Sequence, residues 1–290
     1  MALVNLKINN IPVSVEAGTT ILEAARSAGI KIPTLCYLKD INAIGACRVC
    51  VVEVKGARSL VAACVYPVNE GMEVFTNTKR VLDSRKTTVE LILSDHKKEC
   101  LGCVRNNNCE LQTLAIELGC DDHKYKGETN SYPIDDSTPY IVRDNEKCVL
   151  CRRCVAACSK YQSVGVIGAN ARGFDTHIAT AFEKPLNDVA CVGCGQCITV
   201  CPVGALHEKE SIDDVLAALA DPDKYVIVGT APSVRVALGE EFGMKMGTNV
   251  EGKMVAALRR LGFKNVFDVD YTADLTIMEE GAEFLSRLKN

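Results

Sequence analysis

The chain contains no tryptophan, and aromatic residues make up only 5% of its 290 positions. That leaves no stacking platform for nucleic-acid bases. Excess basic charge is missing too. The net charge is -4, the pI is near 5.7 and no long basic run occurs, which argues against a nucleic-acid partner. No apolar stretch approaches the roughly 20 residues of a membrane span, and mean hydropathy is close to zero. Met1-Ala2-Leu3-Val4-Asn5-Leu6-Lys7 shows no basic segment followed by an apolar one, so no secretory signal is expected. No cysteine follows Cys201. With 48% hydrophobic residues the chain can still bury cores, and its length suits two or more domains.

Cysteine is what the chain has in excess: 16, of which 15 fall into four closely spaced groups. In a short secreted chain they would signal disulfides. Without a secretory signal they point to a reducing cytoplasm and to bound metal. The plainest groups are Cys148-x2-Cys151-x2-Cys154-x3-Cys158 and Cys191-x2-Cys194-x2-Cys197-x3-Cys201. Each reproduces the bacterial ferredoxin run, whose first three thiolates wrap one 4Fe–4S cube while the fourth reaches the other. The expected sets are therefore Cys148, Cys151, Cys154 and Cys201 for one cluster, and Cys158, Cys191, Cys194 and Cys197 for the second. Pro202 follows the last cysteine as the pattern asks; Ser159 stands where the first run would carry proline. Structural zinc also uses Cys-x2-Cys, but two complete runs at 2-2-3 spacing favour iron–sulfur. Arg152 and Arg153, inside the first run, either offset cluster charge, meet an acidic partner or are solvated.

Upstream, residues 3–8 and 11–15 alternate apolar and polar around Asn9-Asn10, a hairpin signal. Thr20 and Glu23 have capping-box spacing ahead of a helix from Ile21 to Ala28, which Gly29 closes. The cysteines that follow, Cys36-x10-Cys47-x2-Cys50-x13-Cys64, suggest a 2Fe–2S cluster in a β-grasp ferredoxin domain. The first gap is longer than the plant-type x4. Gly45 and Ala46 are small enough to let backbone amides approach sulfide. Residues 79–118 read as helix and contain His96-x3-Cys100-x2-Cys103-x5-Cys109. If the helix persists, His96 and Cys100 share a face at i and i+4. Three cysteines cannot close a cube, so His96 is expected as the fourth ligand of a third 4Fe–4S cluster. Cys120, beyond an apolar helical face, reads as a packing thiol.

Asp121 to Tyr140 reads as a linker over the surface. Between the two cysteine runs, Val164–Ile167 and Thr176–Thr180 read as strands, and His177 as a strand residue rather than a ligand. After Cys201 the chain turns back into sheet. From Ser211, taken as a helix cap, helices and strands alternate: a helix, a buried strand Tyr225–Val228, a helix over 251–261, a strand Asn265–Val269 and a last helix to Leu288. The fold class is modular α+β. A β-grasp 2Fe–2S domain spans 1–78, a small helical His/Cys3 4Fe–4S domain with linker 79–139, and a two-cluster ferredoxin domain 140–210. The start of an α/β domain occupies 211–290.

That last stretch carries Ala231-Pro232-Ser233-Val234-Arg235, Glu240-Glu241-Phe242-Gly243, Leu258-Arg259-Arg260-Leu261-Gly262-Phe263, Val266-Phe267-Asp268 and Ala273-Asp274-Leu275-Thr276-Ile277-Met278-Glu279-Glu280. It resembles the beginning of the catalytic domain of iron-only (FeFe) hydrogenases, and the upstream cluster order resembles the larger members of that family. The resemblance implies the electron-transfer arm of a hydrogenase subunit, with one 2Fe–2S and three 4Fe–4S clusters. The catalytic H-cluster is expected only on sequence after Asn290, since its cysteines come later in the family. It also implies a cytoplasmic, NAD(P)-linked, electron-bifurcating assembly. The partners would be a flavin- and NAD(P)-binding iron–sulfur subunit, a small 2Fe–2S subunit and a soluble ferredoxin. Gly165-x2-Gly168 lacks the context of a dinucleotide loop, so nucleotide chemistry would sit on a partner. The competing assignment is an iron–sulfur subunit of a formate dehydrogenase or of a complex I-like dehydrogenase, because those families share the cluster motifs.

Overall fold

The computed structural model describes residues 2–121 and 124–289. They form two compact units that divide between Lys209 and Glu210. In the first unit, β1 (Leu3–Ile8) and β2 (Ile11–Glu16) pair antiparallel with Ile8 opposite Ile11. Asn9 and Asn10 both adopt positive φ, at 50° and 67°. A two-residue hairpin turn that matches strand twist requires this, and asparagine tolerates it. Helix α1 (Ile21–Ser27) starts where Thr20 Oγ1 accepts the Glu23 N–H at 3.3 Å. It buries Ile21, Leu22, Ala24 and Ala25 against Leu6, Ile8, Val52 and Val74. With β3 (Val51–Val54), β4 (Val61–Ala62) and β5 (Glu73–Phe75) the sheet order is β2-β1-β5-β3-β4. Only the β1–β5 pairing is parallel.

A second core lies beside the first. Leu35 and Val49, which flank Cys36 and Cys50, are fully buried in it rather than in the sheet's own core. They pack with side chains such as Val89, Leu111, Ile198 and Val203. The irregular 36–50 loop is thus gripped from both sides.

The helix expected over 79–118 is two helices, α2 (Lys79–Ser94) and α3 (Glu110–Leu118), the latter stopped by left-handed Gly119. Between them lies a single 3₁₀ turn at Cys100–Gly102. The helical face predicted to unite His96 with Cys100 does not form. The Asp95 carboxylate instead accepts the Asn130 main-chain and side-chain N–H groups at 2.7 and 2.8 Å. The Lys97 N–H goes to the Glu146 carbonyl at 2.9 Å, outside the helix ladder. The Lys97 bond, with the His96 N–H turned to the Leu93 carbonyl at 3.3 Å, replaces the i−4 bonds that would extend the helix, while Asn130 holds the Asp95 side chain at its end.

The linker is tied down along its described part. The Tyr132 ring lies on His177, with centroids 4.7 Å apart, and Asp135 pairs with Arg143 through main and side chains. Asp122 and His123 lie outside the described residues. The ferredoxin-like part contains β6 (Ile141–Arg143), α4 (Arg153–Ala156), β7 (Ile167–Asn170), β8 (His177–Thr180), α5 (Gln196–Thr199) and β9 (Leu206–Glu208). β6 pairs with β9 and β7 with β8, both antiparallel. The strand expected from Val164 begins only at Ile167. Ser163 and Gly165 take positive φ, and the N–H groups of Val164 and Gly165 turn back to the Cys158 carbonyl.

The second unit contains α6 (Ile212–Ala220), β10 (Ile227–Thr230), α7 (Val234–Glu241), α8 (Glu251–Leu261), β11 (Asn265–Asp268) and α9 (Val269–Lys289). β10 and β11 form a parallel pair. Ser211 makes no side-chain cap bond, contrary to expectation. The strand expected to be buried at 225–228 runs from Ile227 to Thr230 instead, and Ile227 is 54% exposed. A two-strand sheet has too few neighbours to cover both of its faces.

One buried side chain links the loop of Cys36 to the first cysteine run. The Asn42 amide donates to the Cys36 carbonyl at 2.8 Å and to the Cys151 carbonyl at 3.0 Å. Asn42→Ala leaves both buried carbonyls short of a donor. The expected cost is about 1–3 kcal/mol, read as a lower urea midpoint with an unchanged slope.

Candidate metal centres

Cys36, Cys47, Cys50 and Cys64 converge at the edge of the five-stranded sheet, with Cys36, Cys50 and Cys64 fully buried. Their thiols lie close enough to shift one another's ionisation. Bonds from Cys47 and Cys64 hold Cys36 and Cys50 below the ordinary thiol range, while Cys47 and Cys64 are pushed above it. Main-chain N–H groups of Ala46 and Cys47 also reach Cys36. Gly45 and Arg48 hold φ values of 62° and 59°. Left-handed positions of this kind turn successive amides toward one point, the backbone nest that binds anions and iron–sulfur groups. Arg85, which no local sequence pattern singles out, reaches in from α2. Its Nη2 bonds the Val51 carbonyl at 2.8 Å beside Cys50. Burial lowers its pKa to about 10, so it remains a cation at neutral pH.

Cys100, Cys103 and Cys109 share a second neighbourhood. Burial pushes the Cys109 thiol up, and the charges of Cys103 and Cys100 add to this. The first amides of α3, at Leu111 and Gln112, pull it back. Burial keeps the His96 ring below its ordinary pKa, hence neutral. The ring lies near the main chain of Lys147, and its Nδ1 is buried without a partner. Cys103 sits in the same corner. A Cβ built on Gly204 would lie 2.6 Å from Cys103 Sγ and 3.7 Å from Lys147 Cδ. A neutral imidazole with an unsatisfied nitrogen suits a metal ligand, which must be unprotonated to bind. Cys120 stands apart, its thiol facing the Lys86 carbonyl at 3.9 Å.

The two ferredoxin-type runs form two cavities. Cys148, Cys151, Cys154 and Cys201 line one. Cys158, Cys191, Cys194 and Cys197 line the other. The fourth cysteine of each run therefore lies with the other run's first three. Among the described residues no three His, Cys, Asp or Glu side chains close on a single ion, as structural zinc requires. Instead the sulfurs stand around a volume. Burial pushes Cys148 up to about 11, Cys151 to about 12 and Cys197 to about 11. Such thiols ionise only when a cation or metal compensates the charge. The repeat extends to the backbone. Leu150 and Arg152 have φ of 52° and 59°, and the matching Gly193 and Gly195 have 62° and 70°. The first run thus places two side-chain-bearing residues where the second uses glycine. At Gly193 a Cβ would also strike the Tyr140 ring at 2.8 Å.

The four groups are stitched together. Arg153 is buried and forms a bidentate pair with Glu110, the residue after Cys109, at 2.6 and 2.9 Å. Arg152 is exposed, although it is among the residues lining the first cavity. Arg105 Nη2 reaches the Cys201 carbonyl at 3.1 Å, and the Glu110 N–H reaches the Pro202 carbonyl at 2.9 Å. His177 faces the Glu183 carboxylate at 3.0 Å. Gly204→Ala is expected to displace Cys103 and lower the thermal midpoint. Gly102→Ala, where a Cβ meets nothing within 4 Å, should be neutral in the same melt.

Four family profiles match the chain. A 2Fe–2S iron–sulfur cluster binding domain covers residues 1–79. The NADH-ubiquinone oxidoreductase-G iron–sulfur binding region covers 85–124, and the NADH-quinone oxidoreductase subunit 3 ferredoxin-like domain covers 138–207. The C-terminal domain of the iron-only hydrogenase large subunit covers 224–290. The chain is 52% identical over 99% of its length to NADP-reducing hydrogenase subunit HndD of Solidesulfovibrio fructosivorans, covering 50% of that protein. It is 39% identical over 98% of its length to iron hydrogenase 1 of Clostridium pasteurianum, again covering 50%. It thus spans about half the length of these relatives. In structure it is similar to a chain of an NAD⁺-reducing [NiFe]-hydrogenase in the H2-reduced state. The TM-score is 0.68 at 29% identity, covering 72% of this chain and 89% of that one. Over nearly its whole length the chain is thus similar to iron-only hydrogenase large subunits, and residues 224–290 match the C-terminal domain of that family.

Proposed function

We propose that this chain is the electron-transfer arm of an iron-only hydrogenase subunit. The observation that carries the reading is the pair of cavities, each lined by four cysteines drawn from both runs. Cys148, Cys151, Cys154 and Cys201 hold one 4Fe–4S cluster; Cys158, Cys191, Cys194 and Cys197 hold another. His96, Cys100, Cys103 and Cys109 hold a third 4Fe–4S cluster. Cys36, Cys47, Cys50 and Cys64, at the edge of a β-grasp sheet, hold a 2Fe–2S cluster. Bound clusters supply reversible one-electron storage. The chain supplies the thiolates, the amide nests at the left-handed loop positions, and the neutral His96 imidazole, which carries less negative charge to its centre than a thiolate would.

Residues 1–78, 79–139, 140–210 and 211–290 are the proposed domains. No cysteine lies after Cys201, so the proton- or dihydrogen-converting H-cluster is assigned to sequence outside these residues. The arm then passes electrons to a flavin- and NAD(P)-binding iron–sulfur subunit, a small 2Fe–2S subunit and soluble ferredoxin, in a cytoplasmic, electron-bifurcating complex. Among the described residues no helix is long and apolar enough to cross a membrane. Of the competing assignments, a formate dehydrogenase or a complex I-like subunit, the matches over 85–124 and 138–207 suit the second. The match over 224–290 favours the hydrogenase.

The reading predicts about 14 iron atoms and as many acid-labile sulfides per reconstituted chain, the content of one 2Fe–2S and three 4Fe–4S clusters. His96→Ala should remove or shift a single electron paramagnetic resonance (EPR) signal and leave the others in place. An unchanged set of signals would strike His96 from the ligands. NAD(P) reduction by this polypeptide without any partner would overturn the assignment of nucleotide chemistry to another subunit.

A further inference from the structure

The two ferredoxin-type cavities arise from one repeated motif, yet their walls differ in charge. Arg143 and Arg152 are among the residues that line the Cys148/Cys151/Cys154/Cys201 cavity, and Arg153, between two of its cysteines, interacts through its charge with Cys151. The Arg143 and Arg153 side chains are nearly withdrawn from solvent, at 9% and 7% exposure. The wall of the other cavity is aliphatic apart from its cysteines and Gln196, and among the described residues nothing charged lines it. Gln196 occupies the repeat position of Arg153, and Gly195 that of Arg152.

The partners of these two buried arginines follow one pattern. Arg143 uses Nη2 on Asp135 at 3.0 Å and Nη1 on the Ile178 carbonyl at 3.2 Å. Arg153 uses both Nη atoms on Glu110. In each the Nε–H is buried with no acceptor in the protein. Neither Asp135 nor Glu110 lines the cavity. Of these four residues only Arg143 lines the cavity; its charge is felt at Cys148, and that of Arg153 at Cys151. Burial opposes the Arg153 charge, but the bond to Glu110 and the nearby Cys151 and Cys36 outweigh it.

We propose that Arg143 and Arg153 raise the reduction potential of the centre held by Cys148, Cys151, Cys154 and Cys201, with Asp135 and Glu110 positioning them and limiting the effect. This rests on the ligand assignment made above. Each one-electron reduction adds a unit of negative charge to the centre. A buried cation beside it favours the reduced form, and little water intervenes to screen the two. The second cavity has no such cation. Its Cys194 is exposed, so water can solvate added charge there. Comparing substitutions at one centre therefore separates the arginine effect from solvation better than comparing the two centres.

The test is an EPR-monitored redox titration of the reconstituted chain. Arg153→Gln, which gives the first run the residue of the second, should shift the reduced-to-oxidised ratio of its centre about tenfold toward oxidised at fixed ambient potential. That is 59 mV for a one-electron couple. Glu110→Gln leaves the guanidinium uncompensated and should move the same centre the opposite way. Arg153→Lys should restore most of the wild-type value. Gln196→Arg should raise the other centre alone. Opposite signs from Arg153→Gln and Glu110→Gln cannot come from a loosened fold, which would move both the same way. Shifts of equal sign, equal shifts in both ferredoxin-type centres, or no shift would overturn the proposal. If Arg153→Gln fails to fold, an unmoved potential in Glu110→Gln does so by itself. Wild-type chain about four irons short, with that centre's signal missing, would overturn the ligand assignment and this proposal together. A centre present but unmoved overturns only the proposal.

Discussion

A thiolate moved from water into an apolar cavity loses most of its solvation. Burial, with the charges of neighbouring cysteines, lifts Cys148 to about 11 and Cys151 to about 12 against the pull of nearby amides and arginines. Sulfurs as deep as these cannot ionise unless something inside the protein replaces water. Much of the architecture around the cysteines answers that constraint. Left-handed loop positions at Arg48, Leu150, Arg152, Gly193 and Gly195 turn main-chain amides inward. The first turn of α3 does the same for Cys109. Arg85 stands beside Cys50, and Arg153 beside Cys151. A non-glycine residue at positive φ costs about 1–2 kcal/mol in backbone strain. Leu150 and Arg152 carry that cost where the second run avoids it with glycine.

The same loops join the parts of the first unit. Leu35 and Val49 send their side chains out of the sheet's own core into the core of the helices and the ferredoxin-like segment. Asn42 bridges the main chains of Cys36 and Cys151, and Arg153 bridges the first cysteine run to Glu110 beside Cys109. Gly204, three residues after Cys201, makes room for Cys103. Contacts that fix one cysteine group therefore run through residues adjacent to another. An electron relay needs this, because transfer between centres depends on spacing that does not drift. The unit fixes that spacing with buried hydrogen bonds and a bidentate ion pair rather than with long helices.

The second unit differs in kind. Its buried interior is small, with Val250 and Met254 at its centre. Arg235 joins the starts of α8 and α9 through Glu251, Asp268 and Asp270. The apolar residues of α9, including Leu275, Ile277, Met278 and Phe284, are largely exposed. Its relation to the family rests on sequence similarity, and the electron-transfer reading rests on the first unit.

Cysteine spacing alone was enough to group the sulfurs, including the exchange of Cys158 and Cys201 between runs, because a short loop can wrap only three corners of a cube. Hairpin and capping signals at Asn9-Asn10 and Thr20 were equally legible, being set by neighbours a few residues apart. Long-range bonds decided the rest. The helix expected through His96 ends at Ser94, where Glu146, far along the chain, takes the Lys97 N–H that would have continued it and Asn130 fixes the Asp95 side chain. Of two adjacent arginines with the same chemistry, only Arg153 is buried, because Glu110 from another segment meets it. Arg85 and Arg143 carry no local pattern, and their place beside the sulfurs follows only once the segments pack. Local spacing determines which residues can share a centre. Packing between distant segments determines which charges that centre feels, because electrostatic strength depends on burial and distance, and neither is written along the chain.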